Sequence, residues 1–217
     1  MKRGTPPVRV VPSSTQPGVN EVTNVAGNFY DKHGSSNPIV KRLMARFHTD
    51  VTTALQDLPH GSVLDVGCGE GVSTRALAKR LESHFVGVDL ELPVLHHAKE
   101  SVPDGLVCAA SIYELPFPSG SFDTCLATEV LEHLDDPARA LHELARVARF
   151  GLVVTVPREP WWRLGNMLRG AYLGSWGNTP GHIQHWSYRS FTRFLTAEFD
   201  EVEATTSAMW NLGVIRL

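Results

Sequence analysis

The stretch "VLDVGCGEGVSTRALAKR", residues 63–80, decides how the rest of the chain is read. Val63, Leu64 and Val66 form a short apolar run interrupted only by Asp65. Gly67, Gly69 and Gly71 follow, and Val72 opens a segment with apolar residues at helical spacing. A strand that runs through a glycine turn into a helix is one βα unit. Gly67 permits the sharp turn, Gly69 lets a ligand approach the backbone, and Gly71 opens a helix whose first amides face the same space. Cys68 reads as a small filler between glycines. In "FVGVDLE", residues 85–91, Asp89 stands at the end of the next strand, about 20 residues after the loop. A carboxylate there can accept both hydroxyls of a ribose. The dinucleotide fingerprint Gly-x-Gly-x-x-Gly is not met, because the third glycine comes one residue early and position 72 is Val.

Working outward, short apolar strands alternate with amphipathic helices. The strands are "SVLDVG" (62–67), "HFVGVDL" (84–90), "LVCAAS" (106–111), "FDTCLAT" (122–128) and "GLVVTVP" (151–157). The helices are "VSTRALAKRL" (72–81), "LPVLHHAKES" (92–101) and "DPARALHELARVAR" (136–149), the last with Asp136 as cap and Pro137 in the first turn. This order predicts a parallel sheet covered on both faces. A last helix, "SYRSFTRFLTAEF" (187–199), precedes two weaker strands, "EVEATTS" (201–207) and "NLGVIRL" (211–217). Upstream, Asn37-Pro38 is a natural helix start, and Ile39, Leu43, Phe47, Val51 and Leu55 step by four along one expected face.

The chain has 217 residues, of which 42% are hydrophobic and 20% charged, enough for one large domain with a substantial core. A net charge of −3 gives no basic field of the kind that draws nucleic acid. Three cysteines, Cys68, Cys108 and Cys125, all in strand-like stretches, suggest a reducing compartment and no disulfide framework. The N-terminal residues lack the apolar core of a secretion signal, and no apolar run approaches the roughly 18 residues of a membrane span. The expectation is a cytoplasmic protein with a disordered tail (1–20) and a single domain (21–217). That domain has an N-terminal cap (21–58) and a substrate lid (157–186).

Two segments carry a resemblance to a known family. "DVGCGEG" (65–71) resembles motif I of the class I S-adenosylmethionine (SAM)-dependent methyltransferases. "YELPFPSGSFDTCLATEVLEHLDDP" (113–137) resembles the Leu-Pro-Phe loop, Ser-Phe-Asp entry to strand 4 and Leu-Glu-His element of the same family, in its methyltransferase type 11-like, small-molecule branch. The resemblance runs over roughly residues 60–157. It implies a Rossmann-like α/β fold, a seven-stranded mostly parallel sheet with helices on both faces and an antiparallel last strand. It also implies SAM as cofactor and S-adenosylhomocysteine as product. Asp65, Gly67, Cys68, Gly69 and Gly71 would border the methionine part, and Asp89 with Leu90 the ribose. Ile112 would lie on the adenine face, and Thr128 would close the end of strand 4. Ser111 stands where the family usually has an acid at the adenine amino group. Tyr30 would come from an N-terminal element closing over SAM.

The acceptor side is expected in "PREPWWRLGNMLRGAYLGSWGNTPGHIQHWSYRSF" (157–191), too long for an ordinary connection. Five arginines and one acid, Glu159, fall between positions 158 and 193, together with Trp161, Trp162, Trp176 and Trp186. With Arg163 these rings can hold a flat or anionic acceptor; the plainer alternative is that they form the lid's own core. His182 and His185 in "GHIQHW" have no evident third ligand, so no metal site is expected, and either is a candidate general base. His133 is a third candidate, although Glu132-His133 equally suits a cap on the helix after strand 4. The expected function is methyl transfer from SAM to a small molecule, at a hydroxyl or carboxyl oxygen. The alternatives are an RNA or protein methyltransferase and a non-catalytic SAM-binding partner protein. Nucleic acid is disfavoured by the charge and by "ATEVLEH" (127–133) standing where many base-amine enzymes carry Asn/Asp-Pro-Pro-Tyr; a homodimer is compatible.

Overall fold

The computed structural model describes residues 37–168, 170 and 172–217. The expected tail, the cap before residue 37, Tyr30 and Arg169 lie outside the described residues. Seven strands form one sheet in the order β3-β2-β1-β4-β5-β7-β6. They are β1 (Ser62–Val66), β2 (His84–Asp89), β3 (Val107–Ala109), β4 (Phe122–Thr128), β5 (Ala148–Pro157), β6 (Glu201–Ser207) and β7 (Trp210–Arg216). The strands from β3 to β5 are parallel neighbours, and β7 runs antiparallel to both β5 and β6. This is the seven-stranded, mostly parallel sheet that the sequence leads one to expect.

The helices are α1 (Pro38–Gln56), α2 (Val72–Ala78), α3 (Leu92–Ser101), α4 (Pro137–Val147), α5 (Trp161–Leu168) and α6 (Tyr188–Glu198). Residues of one strand alternate between two cores. Val63, Leu126 and Val153 join Phe47, Val51 and Leu55 of α1, Leu77 of α2 and Trp210. Leu64, Cys125, Leu152 and Val154 join Leu141 and Leu144 of α4 and Phe191 and Leu195 of α6. A strand buried on both faces has no polar side to show, which is why the central strands read as apolar runs. The edge strand β6 keeps an alternating pattern, with Glu201, Glu203 and Thr205 exposed.

Two local expectations are corrected. α1 begins where expected, with the Asn37 side chain accepting from the Ile39 amide, but its buried stripe is Met44, Phe47, His48, Val51 and Leu55. Ile39 is 68% exposed. A strict step of four overshoots a full helical turn by about 40°, so two steps back from Phe47 the side chain has left the sheet face. The helix over 136–149 ends early, at Val147, because Ala148 pairs with Phe122 and starts β5. Ladder hydrogen bonds there outweigh the helix preference of Ala and Arg. No helix among the described residues is long and apolar enough to cross a membrane.

Candidate active site

The glycine loop leaves β1 as a tight structure of its own. The amides of Gly67 and Cys68 both donate to the Val88 carbonyl, at 2.7 and 3.0 Å, and the Gly71 amide closes back on the Cys68 carbonyl at 2.9 Å. Gly67, Gly69 and Gly71 all have positive φ, the region other residues enter only with strain. A Cβ on Gly67 would lie 2.3 Å from Val130 Cγ2, whereas one on Gly69 would meet nothing within 4 Å. Gly67 is thus required by packing. Gly69 borders open space, the room a ligand would occupy. Cys68 packs with Leu95, Ala98 and Val102, and burial pushes its thiol far above the ordinary range, which suits filler and not nucleophile.

Asp89, at the end of β2, accepts from the Gly69 amide through Oδ2 (2.9 Å) and from the Glu91 amide through Oδ1 (3.0 Å). Each oxygen retains a second acceptor position. The carboxylate is therefore aimed from two sides beside the open space at Gly69, as binding two vicinal hydroxyls requires. Asp65 lies one strand over and is 1% exposed. Its Oδ2 accepts the Thr74 hydroxyl at 2.6 Å, while Oδ1 is buried with no partner among the described residues. Burial, the largest cause, raises its pKa from 3.8 to about 6 despite the Thr74 bond. A buried carboxylate oxygen lacking a donor fits the α-ammonium of a methionine moiety. The residues present therefore fit SAM: Gly69 at the open space, Asp89 for the ribose and Asp65 for the amino group.

The remaining cofactor-side residues divide. Leu90 is 70% exposed, next to Asp89. Ser111 follows β3, and its Oγ accepts from the Tyr113 amide at 3.2 Å. Ile112 is buried in the core cluster under α4. Thr128 ends β4, half-buried and paired with Thr155.

Past Thr128, Glu129 takes a positive φ and turns the chain so that Val130 seats against Gly67. A single 3-10 turn, Leu131–His133, follows. The cap of α4 is Asp136, whose side chain accepts from the Arg139 amide; Glu132-His133 does not cap it. Instead this turn receives the returning lid. The amides of Ile183 and Gln184 both donate to the Glu132 carbonyl, at 2.9 and 3.0 Å. The Gln184 side chain donates to the Leu134 carbonyl at 3.1 Å, and His133 Nδ1 pairs with the Gly181 carbonyl at 2.9 Å. His182 is thereby set edge-on to His133, with ring centroids 4.9 Å apart, and stacked near Trp162 at 6.3 Å. Glu132, His133 and His182 each offer a ligating atom, and these atoms lie within 4.8 Å of one another. The two further donors that the local sequence does not supply for His182, an imidazole and a carboxylate, thus come from about 50 residues upstream.

His185 sits elsewhere. Its Nε2 meets Arg163 Nη2 at 2.9 Å, and its Nδ1 lies 3.9 Å from Glu159. Burial, and after it the Arg163 charge, lower its pKa, and since a guanidinium only donates, Nε2 is the accepting nitrogen. The tryptophans also separate. Trp186 is committed to the main core, with Phe191 and Phe194 beside it, because the β-bridge of Arg158 with Trp186 draws this part of the chain onto the C-terminal end of β5. Trp162 is buried against Trp210, its indole donating to Thr179. Trp161 and Trp176 are 51% and 77% exposed.

Residues 64–154 match the methyltransferase domain family. The 2-methyl-6-phytyl-1,4-hydroquinone methyltransferase of Synechocystis sp. is 36% identical over 106 residues, covering 47% of this chain and 33% of that protein. Among solved structures, the small RNA methyltransferase HEN1 superposes with a TM-score of 0.64 at 17% identity, over 80% of this chain and 25% of the other. The magnesium protoporphyrin IX methyltransferase of Synechocystis PCC 6803, solved with bound S-adenosylhomocysteine, superposes with a TM-score of 0.57 at 17% identity, over 84% and 88%. The chain spans less than half the length of the curated relatives it matches. Over the matched segment, residues 64–154, this chain is a class I SAM-dependent methyltransferase domain, with SAM as its cofactor.

Proposed function

We propose that this chain transfers the methyl group of SAM to an oxygen of a small molecule held between the glycine loop and residues 157–186. The observation that carries the reading is the position of Glu132, His133 and His182. The turn carrying Glu132 and His133 follows directly on Val130, which packs on Gly67, and the segment bonded to Glu132 brings His182 to it; this favours a polar cluster beside the bay that receives the cofactor's methionine end.

Bound SAM supplies an activated methyl: the sulfonium S–CH3 bond breaks, its electron pair stays on sulfur, and the O–CH3 bond forms. The protein's part is alignment and water exclusion. A carboxylate acceptor needs no further help, whereas a hydroxyl must lose its proton, and the His133–His182 pair is the group to which it passes. The exposed rings of Trp161 and Trp176 would form walls for a flat acceptor. Arg163, already held by Glu159 and His185, would hold an anionic one. The relative that methylates a hydroquinone supports a small-molecule acceptor. A cytoplasmic setting is in keeping with three free cysteines.

The test incubates purified protein with methyl-labelled SAM and an extract of its source cells, then separates organic-soluble, RNA and protein fractions. Label in the organic-soluble fraction is expected. Label in RNA or protein overturns the small-molecule reading, and SAM binding without labelling in any fraction favours a non-catalytic SAM-binding protein.

A further inference from the structure

We propose that Glu132, His133 and His182 form a binding site for one divalent transition-metal ion, with Zn2+ the best match to the donors. Two imidazoles and a carboxylate are the donor set of three-ligand zinc sites that keep a coordination position open. Two ligand atoms about 2.1 Å from a common ion lie about 3.4 Å apart at the tetrahedral angle. The three donors here are within 4.8 Å of one another, so small side-chain rotations bring them onto one ion.

The surroundings are those of a built site. A carbonyl only accepts, so the 2.9 Å contact of His133 Nδ1 with the Gly181 carbonyl puts the proton on Nδ1 and the ring's lone pair on Nε2. The same contact fixes the ring's orientation. Two amides from residues 183 and 184 clamp the Glu132 carbonyl, which locks the turn to the segment carrying His182. Glu132 is 1% and His182 8% exposed, and attraction between a cation and a carboxylate is strengthened where water is scarce. An ion held by three protein ligands keeps room for one more oxygen; with both imidazoles engaged as ligands it would take over their part, lowering the pKa of a hydroxyl bound there so that its proton passes to water. Only that use of the ion rests on the acceptor reading given above; the binding itself does not.

The test uses the full chain, stripped with chelator, without SAM or acceptor. Zn2+ is titrated by calorimetry and Co2+ by its visible d–d absorption, on the wild type and on His133→Ala, His182→Ala, Glu132→Gln and His185→Ala. One ion per chain is expected, with affinity falling at least about 100-fold in the two His→Ala ligand variants. His185→Ala is expected to bind as the wild type does. SAM binding, measured on every variant, separates a lost ligand from a lost fold, and Glu132→Gln keeps the shape while removing the charge. Absence of stoichiometric binding in the wild type overturns the proposal. So does undiminished binding in His182→Ala, or a loss in His185→Ala equal to that in His182→Ala. If the ion binds and no small molecule is ever methylated, this inference stands and the acceptor reading falls.

Discussion

The Thr74 hydroxyl donates to Asp65 Oδ2 at 2.6 Å inside a fully buried pair, while Oδ1 of the same carboxylate is buried without a partner among the described residues. One hydrogen bond offsets only part of the desolvation of a charge. Asp65 accordingly titrates near 6, well above 3.8, with the charge of Asp89 adding to the rise.

The first prediction concerns pH. A carboxyl whose pKa rises on folding adds stability at pH values below its unfolded pKa, and that stability is lost as pH rises through about 6. A ligand ammonium at Oδ1 favours the ionised form, so the affinity for SAM should move the opposite way. Calorimetry between pH 5 and 8 should show binding weaken by up to about tenfold per unit below pH 6. Asp65→Asn should bind more weakly at neutral pH and show a flat profile over that range.

Asp89 anchors the Gly69 and Glu91 amides and, in the proposed complex, the ribose hydroxyls. Hydrogen bonds to a charged group contribute about 1.5–3 kcal/mol each. Asp89→Ala should therefore raise the Kd for SAM on the order of 100-fold, with Asp89→Asn intermediate. Equal affinity of Asp89→Ala and wild type would remove Asp89 from the site.

Gly67 and Gly69 should fail differently when changed to Ala. Gly67→Ala drives a methyl into Val130 and should cost about 1–3 kcal/mol, beyond the left-handed backbone strain. That is several degrees in Tm by thermal melting. Gly69→Ala meets open space, so its stability loss is the strain alone, about 1–2 kcal/mol. Its larger effect should be on the Kd for SAM.

The tryptophans give a stability–binding contrast. Trp162→Ala empties a buried site against Trp210 and Phe47's cluster and should cost about 3–5 kcal/mol by denaturant unfolding. Trp161→Ala and Trp176→Ala should stay within about 0.5 kcal/mol of wild type while raising KM for the acceptor.

Local pattern alone carried the strand–glycine–helix unit, the alternation of strands and helices, the Asn37-Pro38 helix start and the positions of Asp65 and Asp89. Each follows from short-range physics. Strands buried on both faces must be apolar throughout, a sharp turn at positive φ wants glycine, and a carboxylate inside an apolar strand needs a reason to be there. The boundary at Ala148 was hidden because its pairing partner, Phe122, lies 26 residues back. The stripe on α1 was misjudged at Ile39 because a repeat of four is not the helical repeat.

The His182 environment was decided only in three dimensions. The spacing of His182 and His185 suggests a pair. The chain nevertheless delivers His185 to Arg163 and Glu159, and His182 to Glu132 and His133. The sorting depends on where residues 178–186 return, and the backbone bonds to Glu132, with the His133 side-chain bond to Gly181, hold that path. The same return path buries Trp162 and leaves Trp176 exposed. Sequence determined which strand ends carry Asp65, the three glycines and Asp89, because those are properties of single βα units. Which distant side chains share a site was left to tertiary structure, because contacts between segments some 50 residues apart arise from packing that no local period encodes.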